Sequence, residues 1–267
     1  MQDSKNGSGL VLPASHGMWT RLDVVASTGS TNTDLLDRAA DPGAAEGQVL
    51  VAEEQTAGRG RLGRSWSSVP GASLTFSVLL RPDPVPSARR GWLPLLAGVA
   101  VASAVRSVAG VDAMLKWPND VLAGGGKLAG ILAEQSPDAS AVVIGTGLNV
   151  AAPVEALPVS ATGLRGTSLL VEGATVDRAT LLLAVLDEFE RWYTAFRADP
   201  DPAGTGLLDA YRSMSATILR SVRVELPAGR VVNGTAMDID PDGRLLIEES
   251  LEVPLTPVSA GDVVHLR

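Results

Sequence analysis

The sequence predicts an α+β protein that ends in a small β-barrel, and three observations support this. Residues 73–81 alternate apolar and polar side chains, as a half-buried strand does. Residues 177–197 place apolar side chains along one side of a long helix. Residues 216–267 contain five short β-rich runs that are separated by turn sequences such as Pro-Ala-Gly and Pro-Asp-Gly, a pattern typical of a small barrel.

Composition excludes several kinds of site. The chain has 267 residues and a net charge of −8, which suits one large domain or two of unequal size. It has no cysteine, so disulfides, thiolate metal sites and a cysteine nucleophile are excluded. Its two histidines, His16 and His265, lie near the termini and argue against a Ser–His–Asp triad. We find no signal peptide and no uncharged apolar run of about 18 residues, so we expect a soluble, cytoplasmic chain without a membrane partner.

Up to residue 110 the predicted elements alternate with polar or Gly-rich segments. Ser30 or Thr31 caps a helix whose Leu35 and Leu36 share one face. A Gly- and Arg-rich stretch has no hydrophobic period and is predicted to be a loop. In chain order, the elements are a disordered tail (1–18), a strand (19–25), the capped helix, a strand (48–52), the loop (55–72), the alternating strand (73–81) and an apolar helix (92–108).

Beyond residue 110, short strands precede two helices. The elements are strands near 113–117, 121–122, 128–134 and 141–150, the long helix (177–197) and a second helix (207–214). Because the sequence changes character near residue 215, we assign residues 19–215 to the larger domain and residues 216–267 to the barrel. The barrel carries five basic and eight acidic residues, which makes it a poor electrostatic match for nucleic acid.

A Gly-rich segment at 55–66 concentrates positive charge. Arg59, Arg61 and Arg64 lie within six residues, and the interspersed glycines let backbone N–H groups turn toward a ligand. Guanidinium groups and backbone N–H groups together suit phosphate or carboxylate oxygens. Trp66 follows directly, and its indole suits stacking on an adenine ring. The alternatives are a solvated basic loop and a tryptophan of the core.

A second segment, residues 116–134, combines turn residues with charged ones. Asn119 and Asp120 carry the hard oxygen ligands that suit Mg²⁺ brought by a nucleotide. Lys127 opens an apolar strand, where it either faces a ligand anion or extends into solvent. Gly130 lies within that strand, which indicates close approach of another group to the backbone.

Two further segments carry small residues at informative places. Gly145 and Gly147 interrupt a strand, which indicates either a β-bulge or a ligand lying against the strand. Residues 29–32, Gly-Ser-Thr-Asn, cap a helix and could also hydrogen-bond a neutral polar ligand.

Together these segments resemble the biotin protein ligases. The resemblance spans residues 19–215 and rests on GSTN (29–32), QTAGRGRLGRSW (55–66), KWPNDV (116–121), GGKLAGILAE (125–134) and IGTGLNV (144–150) in the family's order. It implies a catalytic domain like those of class II aminoacyl-tRNA synthetases and biotin ligases, a mixed sheet with flanking helices, followed by an SH3-like barrel. It also implies the short class of the family, because residues 1–18 are too few for an N-terminal DNA-binding domain.

The resemblance implies a ligase that forms an amide bond. Such an enzyme attaches biotin to a lysine of the biotin carboxyl-carrier domain of a biotin-dependent carboxylase. The carboxylase in turn acts on an acyl-CoA, as acetyl-CoA carboxylase does, or on pyruvate. It uses ATP and Mg²⁺ and passes through biotinyl-5′-AMP. No DNA partner is expected, and a weak homodimer is compatible with the family.

Carried onto this sequence residue by residue, the resemblance implies three sets of site residues. Lys127 and Arg61 are catalytic. Biotin is bound by Ser30, Thr31, Asn32, Gln55, Arg59, Gly60, Arg61, Lys127, Gly130, Gly145 and Gly147. ATP and the adenylate are bound by Arg59, Arg61, Arg64, Trp66, Lys116, Asn119, Asp120 and Asn149, of which Asn119 and Asp120 are the metal ligands.

Three other functions compete with this one. A lipoate or octanoate ligase uses a related fold, and the GRGRLGR and KWPND motifs favour biotin. A biotin-responsive transcriptional regulator conflicts with the acidic barrel. An inactive binding module conflicts with the presence of both motif lysines and all three loop arginines.

Overall fold

The structure is a computed structural model that describes residues 9–41, 43–160, 163–226 and 229–266. A seven-stranded mixed sheet forms its larger part. The strands are β1 (Arg21–Thr28), β2 (Gln48–Gln55), β3 (Ser73–Leu80), β4 (Met114–Lys116), β5 (Asp120–Ala123), β6 (Gly126–Gln135) and β7 (Val142–Asn149). Their order is β1-β2-β3-β7-β6-β5-β4; β1 and β2 are parallel, and the other neighbours are antiparallel. The predicted α+β class and mixed sheet are confirmed.

The central strand β3 is buried on both faces, whereas the alternation predicts burial on one. Its second face carries the hydroxyls of Ser73, Thr75 and Ser77. Helix α1 (Thr31–Ala39) packs on this face around Leu35 and Leu79. A nine-residue helix is only about 14 Å long, so α1 covers one end of the face and leaves the Thr75 end open for a cavity.

The opposite face is covered by α2 (Trp92–Ala109), α3 (Arg178–Ala198) and α4 (Leu207–Met214). Asp177 caps α3 by accepting a hydrogen bond from the Thr180 amide at 2.8 Å. Within the described chain, the stretch Ser87–Ala109 is long and apolar enough to cross a membrane by length and composition, and 67% of its most apolar window is buried inside the protein. Packing of α2 against α3 and the sheet accounts for this apolar character.

The sequence predicts a disordered tail over residues 1–18, whereas the structure packs the segment before β1 against the larger part from residue 9 onward; residues 1–8 lie outside the described residues. The amide of Leu10 donates to Glu53 Oε1 at 3.0 Å, and the amide of Met18 donates to Glu190 at 2.9 Å. Leu10, Leu12 and Met18 pack against the main core. These spaced apolar residues bury enough surface to fix a segment that lacks any regular period.

The C-terminal part forms a five-stranded antiparallel sheet of the SH3-like type, and all five predicted strands are present. They are β8 (Ser221–Glu225), β9 (Val231–Ile239), β10 (Leu245–Glu248), β11 (Thr256–Val258) and β12 (Asp262–His265), in the order β11-β10-β9-β8-β12. Trp92 Nε1 donates to Asp240 O and Trp117 Nε1 donates to Gly243 O, at 3.2 and 3.1 Å. The two sheets share one hydrophobic core, so the barrel is fixed against the larger part.

Candidate active site

A cavity of about 550 Å³ lies on the open part of the sheet face beside α1. All seventeen residues that the sequence assigns to the site line it. They are Ser30, Thr31, Asn32, Gln55, Arg59, Gly60, Arg61, Arg64, Trp66, Lys116, Asn119, Asp120, Lys127, Gly130, Gly145, Gly147 and Asn149. The fold therefore brings five separated sequence segments to one place.

One end of the cavity is neutral and polar. Thr31 donates from its amide to Gln55 Oε1 at 2.8 Å, and its hydroxyl lies 2.6 Å from Ser77 Oγ. Ser77 in turn donates to Asn32 Oδ1 at 2.6 Å. Ser77 is fully buried and is a residue that the sequence analysis missed, because a serine inside an apolar strand carries no motif signal. This series of hydrogen bonds fixes the rotamers of the groups beside Ser30 at the start of α1.

A carboxylate connects this polar end to the basic loop. Asn32 Nδ2 donates to Glu134 Oε2 at 2.8 Å, and Arg59 pairs with the other oxygen of the same carboxylate. Arg59 is therefore engaged with β6. Its charge is neutralised there, which assigns it a part in shaping the loop.

Lys127 lies at the opposite, cationic end. Its Nζ is 2.6 Å from Asp120 Oδ1. The pairing of β5 with β6 shifts register between Val121 and Leu122, which is the mark of a β-bulge. The shift turns Lys127 to the face of Gly130, where an added Cβ would lie 3.3 Å from the lysine Nζ.

Arg61 is the cation with the least neutralised charge. It donates to Asn119 Oδ1 at 3.2 Å and to Gly261 O at 3.5 Å. Burial lowers the pKa of its guanidinium, which stays charged at neutral pH. Among the five cationic side chains of the cavity, within the described chain, Arg61 alone lacks a carboxylate within 4.0 Å.

The barrel reaches the cavity through the turn before β12. Arg64 pairs with Asp262, and the Gly261 carbonyl accepts from Arg61. Between these arginines, Leu62 adopts a left-handed backbone conformation with φ of 55°, which is unfavourable for a leucine. The barrel thus holds both sides of a strained loop tip. Asp262 carries no motif signal of its own, and the sequence analysis did not assign it to the site.

Lys116 is almost completely buried, with 8% of its surface exposed. Burial lowers the pKa of its ammonium, and its nearest carboxylate oxygen is Asp120 Oδ2 at 4.0 Å. The backbone behind it is held by the Trp117 amide, which donates to Thr217 Oγ1 at 3.1 Å. That hydroxyl also lies 3.2 Å from His265 Nε2 in β12.

The stability of the folded chain is expected to depend on the titration of His265. Burial lowers the pKa of this imidazole below its ordinary value of 6.5, and the charges of Lys116 and Arg220 lower it further. Between the lowered pKa and 6.5 the unfolded chain binds the proton more readily, so the free energy of unfolding falls as the pH drops below 6.5.

The variant His265→Gln keeps a hydrogen-bonding group beside Thr217 but does not titrate. Urea unfolding from pH 7 to pH 5 should therefore show a smaller loss of stability in this variant than in the wild type. Equal losses in the two proteins would contradict the prediction.

The glycines of β6 and β7 accommodate side chains of the protein itself in this structure, and the expectation that they also leave space for biotin stays a prediction. A Cβ at Gly145 would collide with Asn32, and one at Gly147 would collide with the indole of Trp66. A Cβ at Gly130 would lie 3.1 Å from Trp66 Cζ3. Trp66 thus lies against the two strands, with Lys127 Nζ 5.7 Å from its ring centroid. Stacking of Trp66 on adenine stays a prediction.

The two predicted metal ligands are occupied by cations, so the side chains present do not fit a metal held by the protein. Asp120 pairs with Lys127, and Asn119 Oδ1 accepts from Arg61 while its amide donates to Ile131 O at 2.9 Å. Within residues 9–41, 43–160, 163–226 and 229–266, no group of three acidic or histidine side chains could hold an ion. Asn149 likewise donates to Thr167 O at 3.0 Å, which anchors the loop after β7.

A cavity with a neutral polar end and a cationic end, on a mixed sheet that packs against an SH3-like barrel, fits the class of protein ligases that activate a small carboxylic acid. Residues 24–149 match the Biotin/lipoate A/B protein ligase family, and residues 219–266 match the Biotin protein ligase C terminal domain.

Two relatives and one solved structure narrow this class. The chain is 49% identical to the biotin–[acetyl-CoA-carboxylase] ligase of Mycobacterium tuberculosis, over 93% of this chain and 90% of the relative. It is 33% identical to the bifunctional ligase/repressor BirA of Escherichia coli, over 82% of this chain and 67% of the relative. The biotin protein ligase of Aquifex aeolicus in complex with biotin and ATP is 28% identical and superposes with a TM-score of 0.74, covering 92% and 98% of the two chains. The chain belongs to the biotin protein ligases.

Proposed function

We propose that this chain attaches biotin to a lysine of a biotin carboxyl-carrier domain in an ATP-dependent reaction through biotinyl-5′-AMP. The observation that carries the proposal is the polarity of the cavity, which is neutral and polar at Thr31 and Gln55 and cationic at Lys127 and Arg61. Biotin has the same polarity, with a neutral ureido ring at one end and a carboxylate at the other. The relatives that carry the names of biotin ligases support this assignment.

In the first step, a biotin carboxylate oxygen attacks the α-phosphorus of ATP, an acyl–phosphate bond forms and pyrophosphate leaves. Two anions must approach each other, so positive charge near the reacting atoms stabilises the transition state. Arg61 is suited to this task because it is half-buried and free of a carboxylate partner within the described chain. Lys127 can exchange its contact with Asp120 for one with the substrate oxygens.

In the second step, the ε-amine of the acceptor lysine attacks the acyl carbon, AMP leaves and the amine loses a proton. Neither step needs a nucleophile from the protein, in keeping with the absence of cysteine. The acyl-adenylate must be kept from water, and the loop that carries Arg59, Arg61 and Arg64 borders the cavity where it would do so.

Several finer assignments complete the proposal. Mg²⁺ would arrive with the phosphates of ATP and be held by them, since the described residues contain no group of three acidic or histidine side chains that could hold an ion. The acceptor would be the carrier domain of acetyl-CoA carboxylase or of a related acyl-CoA or pyruvate carboxylase, for which the name of the mycobacterial relative gives the support. We expect the reaction in the cytoplasm, without DNA or membrane, by a monomer or a weak homodimer.

Transfer to a carrier domain tests the proposed function directly. Purified chain incubated with biotin, ATP, Mg²⁺ and an apo-carrier domain should add one biotin to the carrier lysine, as measured by mass spectrometry. A carrier with that lysine replaced by arginine is the control. Modification with lipoate and none with biotin would favour the related lipoate ligases instead.

Ligand binding is expected to protect residues 58–66 from trypsin. Arg59 and Arg64 are tied by exposed ion pairs, which contribute about 0–1 kcal/mol each, so the loop opens easily when the cavity is empty. Biotin and ATP together should slow cleavage after these arginines, because the adenylate gives the loop further contacts.

Cleavage after the exposed Arg220, which lies outside the cavity lining, is the internal control. Equal cleavage of the loop with and without ligands would contradict the predicted ordering.

A further inference from the structure

A buried hydroxyl on β3 faces the cavity without a hydrogen-bond partner. Thr75 is 3% exposed and lines the cavity. Among the residues that the structure describes, its Oγ1 contacts no donor or acceptor. A buried hydroxyl without a partner is unfavourable, and most such groups in folded proteins are paired. A ligand atom in the cavity can supply the missing partner.

A second unpaired polar atom lies at the neighbouring position. Thr75 pairs with Gly147 across β3 and β7, and residues paired in this way project on the same face of the sheet. The indole of Trp66 fills the place where a Gly147 side chain would be. Its Nε1 is also buried and has no partner in the described chain. Two adjacent groups able to donate thus lack acceptors at one point of the cavity wall.

Sheet register places this point between the two ends of the cavity. Gly147 also pairs with Gly130, beside which Lys127 Nζ lies, so a row across the sheet runs from Thr75 to the cationic end. In the other direction, Ser77 is two residues along β3 on the same face and contacts Thr31 and Asn32 at the polar end. Thr75 therefore faces the middle of a ligand that reaches both ends.

We propose that the Thr75 hydroxyl donates a hydrogen bond to the thioether sulfur of bound biotin. The inference rests on the proposed function. Biotin has polar atoms at its carboxylate, its ureido group and its ring sulfur, and only the sulfur lies between the other two. A thioether sulfur is a weak acceptor, which suits a single hydroxyl in a buried position. Thr75 thereby selects for the sulfur-containing ring.

Calorimetry with biotin and its sulfur-free analogue dethiobiotin tests the proposal. The variant Thr75→Val keeps the shape and removes the hydroxyl. Its Kd for biotin should rise about two- to threefold, the lower end of the range for one hydrogen bond because the sulfur is a weak acceptor, while its Kd for dethiobiotin stays the same. The conservative variant Thr75→Ser should keep the wild-type preference for biotin.

Ser73→Ala is the matched control. Ser73 is a buried hydroxyl without a partner in the described chain, on the same strand and face, but outside the cavity lining. This variant should leave both Kd values unchanged. Equal losses for both ligands in Thr75→Val, or equal affinity of the wild type for both ligands, would overturn the proposal. Absence of biotin-dependent pyrophosphate exchange in the wild type would instead overturn the proposed function.

Discussion

Replacing Lys127 with alanine is expected to lower biotin-dependent ATP–pyrophosphate exchange by roughly 100- to 1,000-fold. Removing one preorganised group that stabilises developing charge typically has an effect of this size. Lys127 faces the cavity beside Gly130, and no other lysine of the described residues shares its position at the end of the row that starts at Thr75. The remaining activity would come from Arg61 and from binding alone.

Controls separate this effect from a loss of fold. The Lys127 side chain is partly exposed and pairs only with Asp120 within the described residues, so Lys127→Ala should leave the Tm nearly unchanged. Arg191→Ala removes a cation that lies over Trp192 outside the cavity lining and should leave the exchange rate as it is. Exchange near the wild-type rate in Lys127→Ala would exclude a role for this ammonium in adenylation.

Replacing Gly147 with alanine is expected to lower exchange by roughly 10- to 100-fold, since small displacements of positioning groups have effects of this order. An added methyl group collides with the indole of Trp66, and backbone pairing on both sides of β7 prevents the strand from moving away. Trp66 must therefore leave the sheet, and it carries the basic loop with it.

Gly29→Ala is the matched control, because an added Cβ at Gly29 meets no atom within 4 Å. If displacement of Trp66 causes the loss of exchange activity, the double variant Gly147→Ala/Trp66→Leu should exchange only slightly more slowly than either single variant. A double-mutant cycle measures this coupling. Strictly additive losses, or a wild-type rate in Gly147→Ala, would contradict the steric explanation.

The two predictions probe different properties of one site. Lys127 is expected to supply charge to the reacting atoms, and Gly147 supplies space for the tryptophan that covers the sheet. The barrel adds a third property, because Asp262 and the Gly261 carbonyl hold Arg64 and Arg61 from outside the catalytic sheet. The geometry of the basic loop thus depends on both parts of the chain.

Much of this protein is determined by local sequence. The strand β3, the helix α3 and the short strands of the barrel depend on residues near one another in the chain, so the sequence predicts these elements and the structure confirms them. The motifs also predict which residues line the cavity, because glycines and charged groups inside apolar segments destabilise the fold and are therefore expected to have a function.

Only the tertiary structure decides which of those residues are available to a ligand. Arg59 and Arg64 look equivalent to Arg61 in sequence, yet they pair with Glu134 and Asp262, which lie 75 and 198 residues further along the chain. Strand register and the position of the barrel create these pairs, and they likewise bring Trp66 onto Gly147 and leave Thr75 unpaired. Such long-range contacts have no local signal, because they arise when distant segments pack together.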